Sequence, residues 1–250
     1  MNKKSSSWKN SLIGGLAAII SLSNVNCCNT QNMTKGYDNH TRYVTDESIE
    51  EIVNNVYKIN VDTVYLTDKG EIGNRNGFGS TFPILGKEGE LYFATCYHVL
   101  DTPDSMPSPF THDVGKKVKE EYSLTINGTK TPLLLAKYDK DKDVALLMTL
   151  EEFSIKCPTI ANEQLMVGDA VYTLGFTNFE NGKMLNSGNI NHVLKHEFIM
   201  TSALNPGNSG GPVYVCKNGE LQVAGMNRYI VQGMNDVYGA IKIDEVKKLL

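Results

Sequence analysis

From Asp62 onward the chain is a succession of short, mostly apolar runs, each closed off by turn-forming residues. The first set is Asp62 to Thr67, Gly79 to Leu85, Leu91 to Thr95, Glu121 to Ile126, Pro132 to Tyr138 and Val144 to Leu150. The second is Ala170 to Gly175, Lys183 to Ile190, His196 to Ser202, Pro212 to Cys216, Leu221 to Arg228 and Asp236 to Ile243. Runs of this length suit strands, and Asn127-Gly128 and Asn218-Gly219 are dipeptides that close tight hairpins. The runs divide six and six, which predicts an all-β chain of two six-stranded antiparallel barrels joined near 151–160. Two short helices flank them. Ser48 with Glu51 reads as a capping box before the stripe Ile49, Ile52, Val53 and Val56, and Asp244 to Leu250 reads as a capped final helix.

Chemistry enters at Asn205-Pro206-Gly207-Asn208-Ser209-Gly210-Gly211-Pro212, a serine inside a glycine-dense turn. A serine hydroxyl becomes a useful nucleophile only with a base to take its proton and donors to hold the oxyanion. Glycines let the backbone turn sharply and aim N–H groups at one point, although a plain Gly-rich hairpin loop has the same composition. The base candidate is His98, at the end of the apolar run Leu91 to Leu100, where a rigid element meets a loop. His40 and His112 lie in polar, turn-rich segments. His192 and His196 are four apart in one strand-like run, without neighbouring ligands that would make a metal site. Among Asp139, Asp141 and Asp143, only Asp143 abuts an apolar strand; the other two alternate with lysines in a solvated turn. Order then discriminates. The G-x-S-x-G elbow of α/β-hydrolases needs its histidine after the serine, and no histidine follows Ser209.

The order His98, Asp143, Ser209, together with the surrounding motifs, resembles the HtrA/Deg branch of the trypsin-like, chymotrypsin-fold serine proteases. The similarity runs from about Gly77 to Leu250: Gly77-Phe78-Gly79-Ser80, then Ala94-Thr95-Cys96-Tyr97-His98-Val99, in which Cys96 and Tyr97 depart from the family pattern. Asp143-Val144-Ala145-Leu146-Leu147 follows, then Val167-Gly168-Asp169-Ala170-Val171 with Leu174-Gly175-Phe176. Ser187-Gly188-Asn189-Ile190, the Asn205 to Pro212 loop and the closing segments at Asn218-Gly219-Glu220, Ala224 to Asn227 and Tyr238 to Ile241 complete it. The resemblance implies that Ser209 attacks a scissile carbonyl, His98 serves as base and then acid, and Asp143 orients the imidazole. It places the oxyanion hole at Gly207, Asn208 and Ser209. It puts Ala203 at the base of the specificity pocket with Gly225, Met226 and Asn227 as a wall, which favours a small or aliphatic residue before the cut. Relatives of this branch often carry a peptide-binding PDZ domain after the protease; this sequence reads as a protease domain without one. The function expected is a serine endopeptidase of polypeptide substrates that needs no cofactor or metal, the alternative being an inactive peptide-binding or surface protein on the same fold.

Composition excludes other classes. Of 250 residues, 41% are hydrophobic and 21% charged, with a formal charge of −4, and an acidic chain without a basic stripe does not suit nucleic acid. Lys3, Lys4 and Lys9 precede a run from Ser11 to Leu22 that is short for a bilayer span and suits an export signal, the alternative being an uncleaved membrane anchor. The organisation read from sequence is therefore a signal at 1–26, a polar tether at 27–44, a helix and first barrel at 45–150, and a second barrel with a C-terminal helix at 151–250. An exported location follows from the signal. Cys27 and Cys28 leave two readings open, a lipid-modified cysteine tethering the chain to a membrane or plain secretion. Cys96 and Cys216 lie in strand-like runs and read as small core residues. Asp101 to Val114, rich in Pro, Ser and Asp, reads as a mobile connection beside the site.

Overall fold

The computed structural model describes residues 46–107, 113–178, 182–230 and 237–250. The expected signal and tether, His40 and His112 lie outside the described residues. The first barrel is built from β1 (Tyr57–Leu66), β2 (Ile72–Leu85), β3 (Leu91–Thr95), β5 (Val114–Ile126), β6 (Thr129–Asp139) and β7 (Val144–Thr149). Its order is β1-β2-β3-β7-β6-β5, and antiparallel pairing of β1 with β5 closes it. The short β4 (Ser105–Pro107) is added along the first residues of β5. The second barrel is closed and antiparallel: β8 (Ala170–Phe176), β9 (Lys183–Val193), β10 (Glu197–Met200), β11 (Pro212–Lys217), β12 (Glu220–Ile230) and β13 (Tyr238–Lys242). The six-and-six reading of the sequence is the observed architecture.

Alternation explains which faces are buried. Along β1, Ile59, Val61 and Tyr65 point inward with Thr63 between them, the period-two pattern of a strand with one wet face. The run Val144 to Leu147 is buried throughout because β7 has a core on each side. Ala145 and Leu147 pack inside the first barrel with Phe93 and Leu124. Val144 and Leu146 join Phe82, Tyr172, Leu174, Tyr214 and Met226 in a cluster shared by the two barrels. A separate cluster of Val171, Ile190, Phe198, Val213 and Ala240 fills the second barrel.

The helices are shifted from their expected starts. α1 spans Asp46–Asn54, so Ser48 lies inside it and does not cap it; Ile52 and Val56 still anchor the segment in the shared cluster. A one-turn α2 (Tyr97–Leu100) follows β3. α3 (Ile243–Lys247) begins before Asp244. Both hairpin dipeptides adopt the expected left-handed pairs, with φ of 50° and 82° at Asn127 and Gly128 and 53° and 81° at Asn218 and Gly219, the signature of a type I′ turn. Residues 101–107 of the expected mobile connection are tied down. Tyr65 Oη donates to the Pro103 carbonyl at 2.8 Å, and the Lys117 backbone N–H donates to Asp104 at 2.8 Å. Among the described residues no helix is long and apolar enough to cross a membrane.

Candidate active site

The site forms where the two barrels meet. Four contacts lock the Ser209 loop and the strands β8 and β12 to the first barrel. The Ser80 N–H donates to the Ser209 carbonyl at 2.8 Å, and Ser80 Oγ donates to the Gly207 carbonyl at 2.7 Å. Ser80 Oγ in turn accepts from Phe176 N at 2.8 Å. Cys96 Sγ donates to the Asn227 carbonyl at 3.1 Å. A barrel-one strand thus sets the backbone of a barrel-two loop.

His98 sits in α2, half-exposed, and Asp143 lies buried in the turn between β6 and β7. Asp143 binds His98 twice: Oδ1 accepts the His98 backbone N–H and Oδ2 meets the ring Nδ1, each at 2.8 Å. A carboxylate only accepts, so Nδ1 carries the proton and Nε2 is left as the basic nitrogen. The first bond also satisfies an orphan N–H of the short helix, and Asp143's own carbonyl accepts Tyr97 N at 3.2 Å, so Asp143 caps the element that carries His98. Asp143 reaches this position with φ 58°, a left-handed conformation that Asp tolerates better than most residues. Burial pushes its acidity one way, raising the pKa. The His98 ring and N–H and then Arg228 outweigh burial, so the carboxyl titrates below its ordinary value.

Ser209 emerges from a loop stitched by Asn208. Asn208 Oδ1 accepts Asn205 N at 2.7 Å, and its Nδ2 donates to the Phe176 carbonyl at 3.0 Å. The Asn208 N–H is taken up by the Asn205 carbonyl at 2.9 Å, so that amide is engaged within the loop. The N–H groups of Gly207 and Ser209 donate to no acceptor among the described residues. Gly207 has φ 100°, and a Cβ there would lie 2.6 Å from the Phe78 ring and 2.9 Å from the Phe176 carbonyl; only glycine fits. The Ser209 hydroxyl donates to the Arg228 carbonyl at 3.3 Å. No hydrogen bond joins it to the His98 ring among the described residues.

The other sequence candidates are dispersed. Met226 and Asn227 are fully buried; Asn227 Nδ2 donates to the Leu174 carbonyl, and Gly225 packs against Phe198. The Ala203 carbonyl accepts Asn186 Nδ2 at 2.9 Å. The cavity beside Ser209, of about 400 Å³, is lined instead by Leu204 to Pro206 of the loop and by Arg228, Tyr229 and Ile230. That wall begins one residue past the segment singled out from sequence. Asp141 is exposed and Asp139 Oδ1 accepts Lys142 N at 3.0 Å, a turn role. His192 is exposed on β9, while His196 lies in the turn before β10 and contacts Glu245 at 2.9 Å. Cys96 and Cys157 are free thiols. Ligand atoms of Cys96, His98 and Asp143 lie within 4.8 Å of one another. Burial, and then Asp143, hold the Cys96 thiol well above its ordinary pKa; a thiol so hard to deprotonate makes a poor metal ligand.

Arg228 was not legible as a site residue. Its Nε donates to Asp143 Oδ2 at 3.1 Å and its Nη1 to Glu197 Oε2 at 3.0 Å. The only sequence signal is a cation at the end of an otherwise apolar strand.

Comparison with known proteins agrees with this architecture. Residues 79–226, more than half of the chain, match the family described as a trypsin-like peptidase domain. No curated protein matches significantly. Among solved structures, the chain is similar to the active form of the Rv3671c protease from M. tuberculosis. Identity is 16% over 83% of this chain and 84% of that one, with a TM-score of 0.60. It is also similar to the serine endoprotease from Yersinia pestis, at 20% identity over 81% of this chain and a TM-score of 0.58. This chain covers 64% of that one, less than two thirds of its length. At such identities the likeness to these two structures is one of fold. With its paired barrels and a match across both of them, the chain belongs to the trypsin-like peptidase domain family.

Proposed function

We propose that this protein is a serine endopeptidase acting through His98, Asp143 and Ser209. The observation that carries the reading is the double hold of Asp143 on His98, with a serine loop whose Gly207 and Ser209 amides are uncommitted among the described residues. In this reading, rotation about the Ser209 Cα–Cβ bond moves Oγ from the Arg228 carbonyl toward His98 Nε2. His98 then takes the hydroxyl proton as Oγ adds to the scissile carbonyl, and Asp143 stabilises the imidazolium. The Gly207 and Ser209 amides stabilise the oxyanion. His98 returns its proton to the leaving amine, and water, activated by the same imidazole, hydrolyses the acyl-enzyme. Leu204, Pro206, Tyr229 and Ile230 around the cavity support a preference for a small or aliphatic residue before the cut. The basic leader and apolar run support export, and Cys27 or Cys28 would carry any lipid tether.

The Ser209–Arg228 hydrogen bond favours a second reading, in which the site is catalytically silent and the barrels bind peptides. Labelling with a fluorophosphonate probe separates the two: the enzyme is labelled, and Ser209→Ala abolishes the label. An unlabelled wild-type protein would leave only the binding reading. Peptides ending in Val, Ala or Leu should be cleaved better than those ending in Arg or Lys; a tenfold preference for the basic ones would overturn the pocket assignment.

A further inference from the structure

Three groups meet at Arg228. Its carbonyl holds the Ser209 hydroxyl at 3.3 Å, Nε donates to Asp143 Oδ2 at 3.1 Å, and Nη1 donates to Glu197 Oε2 at 3.0 Å. Asp143 Oδ2 is the same oxygen that receives His98 Nδ1, so a permanent cation and the imidazole share one acceptor. Side-chain exposure is 30% for Arg228, 25% for Glu197 and 11% for Asp143, little enough for their charges to reach one another without full solvent screening. Glu197 comes from β10, anchored in the second barrel, and Asp143 comes from the first. The guanidinium therefore bridges the barrels and the triad with one side chain, and arginine's planar fork suits that role.

Resting on the protease reading above, we propose that Arg228 is a positioning residue of the triad. Its guanidinium fixes the Asp143 carboxylate and, with its charge balanced by Glu197, sets the pH at which His98 becomes a free base. The physical argument is one of alternating charge. Along the series Glu197, Arg228, Asp143, His98, each neighbour moderates the next. An arginine on the carboxylate weakens the field with which Asp143 supports an imidazolium, and a carboxylate on the arginine partly restores it. Among the described residues, further polar groups nearby come from the packed elements. Cys96, beside α2, is a buried thiol with Asp143 among the groups acting on it. Tyr229 from β12 lies under the guanidinium at 5.5 Å, and its phenol is raised by burial and then by Glu197. Asp141, Lys142, Lys195 and His196 line the cavity that Arg228 and Glu197 also face, with Glu245 paired to His196. None of these interposes a charge between Arg228 and Asp143.

The test follows the His98 imidazole by NMR against pH, alongside the pH profile of fluorophosphonate labelling, in the full chain. Arg228→Met removes the cation at similar length, and the His98 midpoint should rise by about half to one pH unit. Glu197→Gln leaves the cation unbalanced, and the midpoint should fall. Arg228→Lys keeps the charge and should stay within about 0.2 pH unit of the parent, inside the half-unit scale expected of charge removal. A merely structural arginine would change folding without moving the two midpoints in opposite directions. An unmoved midpoint in Arg228→Met, or a shift of the same sign in Glu197→Gln, overturns the proposal. Should Arg228→Met fail to fold, the Glu197→Gln titration decides alone. Absence of labelling in the parent protein counts against the protease reading, while the imidazole titration is still read from the Ser209→Ala protein.

Discussion

Asp143 is the residue on which most of the local structure converges. It holds the imidazole, caps α2, accepts Arg228 and does so from a left-handed backbone. Replacing it by Asn keeps the shape but lets an amide face Nδ1, which favours the wrong tautomer. Asp143→Asn should lower turnover by about four orders of magnitude, the figure known for a chymotrypsin-type aspartate, measured as the rate of peptide cleavage. Its lowered folded-state pKa also has a sign. Stability from this group is present above the ordinary carboxylate value of about 3.9 and is lost as pH falls below it. Urea unfolding of the parent should therefore weaken with acid more steeply than that of Asp143→Asn. Gly207 makes a different demand. With φ 100° and the Phe78 ring 2.6 Å from a notional Cβ, Gly207→Ala should displace the amide proposed to hold the oxyanion and cost about a hundredfold or more in turnover. Both residues could be picked out from sequence because each is tied to a local motif. Arg228 could not, since its two side-chain partners, Asp143 and Glu197, come from distant segments of the chain.

At the scale of elements, hairpins and helices differ in how fully the residues announce them. Asn127-Gly128 takes the turn that the dipeptide favours, and a Cβ at Gly128 would meet nothing within 4 Å. Gly128→Ala should thus cost only the left-handed backbone penalty, about 1–2 kcal/mol, read from chemical denaturation. The helix α1 was legible through its apolar stripe, whereas the Ser48 capping box did not set its start. What secures the element is tertiary: Ile52 and Val56 enter the shared core, and Lys183 Nζ donates to the Val53 carbonyl at 2.6 Å. Burial lowers the Lys183 pKa to about 8. The folded state disfavours the charged lysine, so stability gains as pH rises from about 8 toward the ordinary value of about 10.4. Lys183→Met should lose that rise, seen by comparing the unfolding free energies of both proteins at pH 7.5 and 10.

Across the whole molecule, the barrels are coupled by one cluster with members from each, including Phe82 and Leu146 on one side and Leu174 and Tyr214 on the other. Leu174→Ala should cost about 2–5 kcal/mol. Loss of Ser209 labelling should coincide with loss of near-ultraviolet circular dichroism on heating, because the site exists only while the barrels stay docked. The six-and-six succession of strands, the hairpin dipeptides and the order of His98, Asp143 and Ser209 were determined by the sequence alone, since each depends on neighbours a few residues away or on simple succession, whereas β1, β2 and β5 begin five to seven residues before the runs read from it. The wall of the cavity was decided by the tertiary structure, as was the engagement of the Asn208 amide within its loop. The same holds for Ser209 facing the Arg228 carbonyl and for the chain of charges from Glu197 to His98. These depend on where one barrel's loops come to rest against the other, and packing between segments far apart in the chain leaves no local pattern to read.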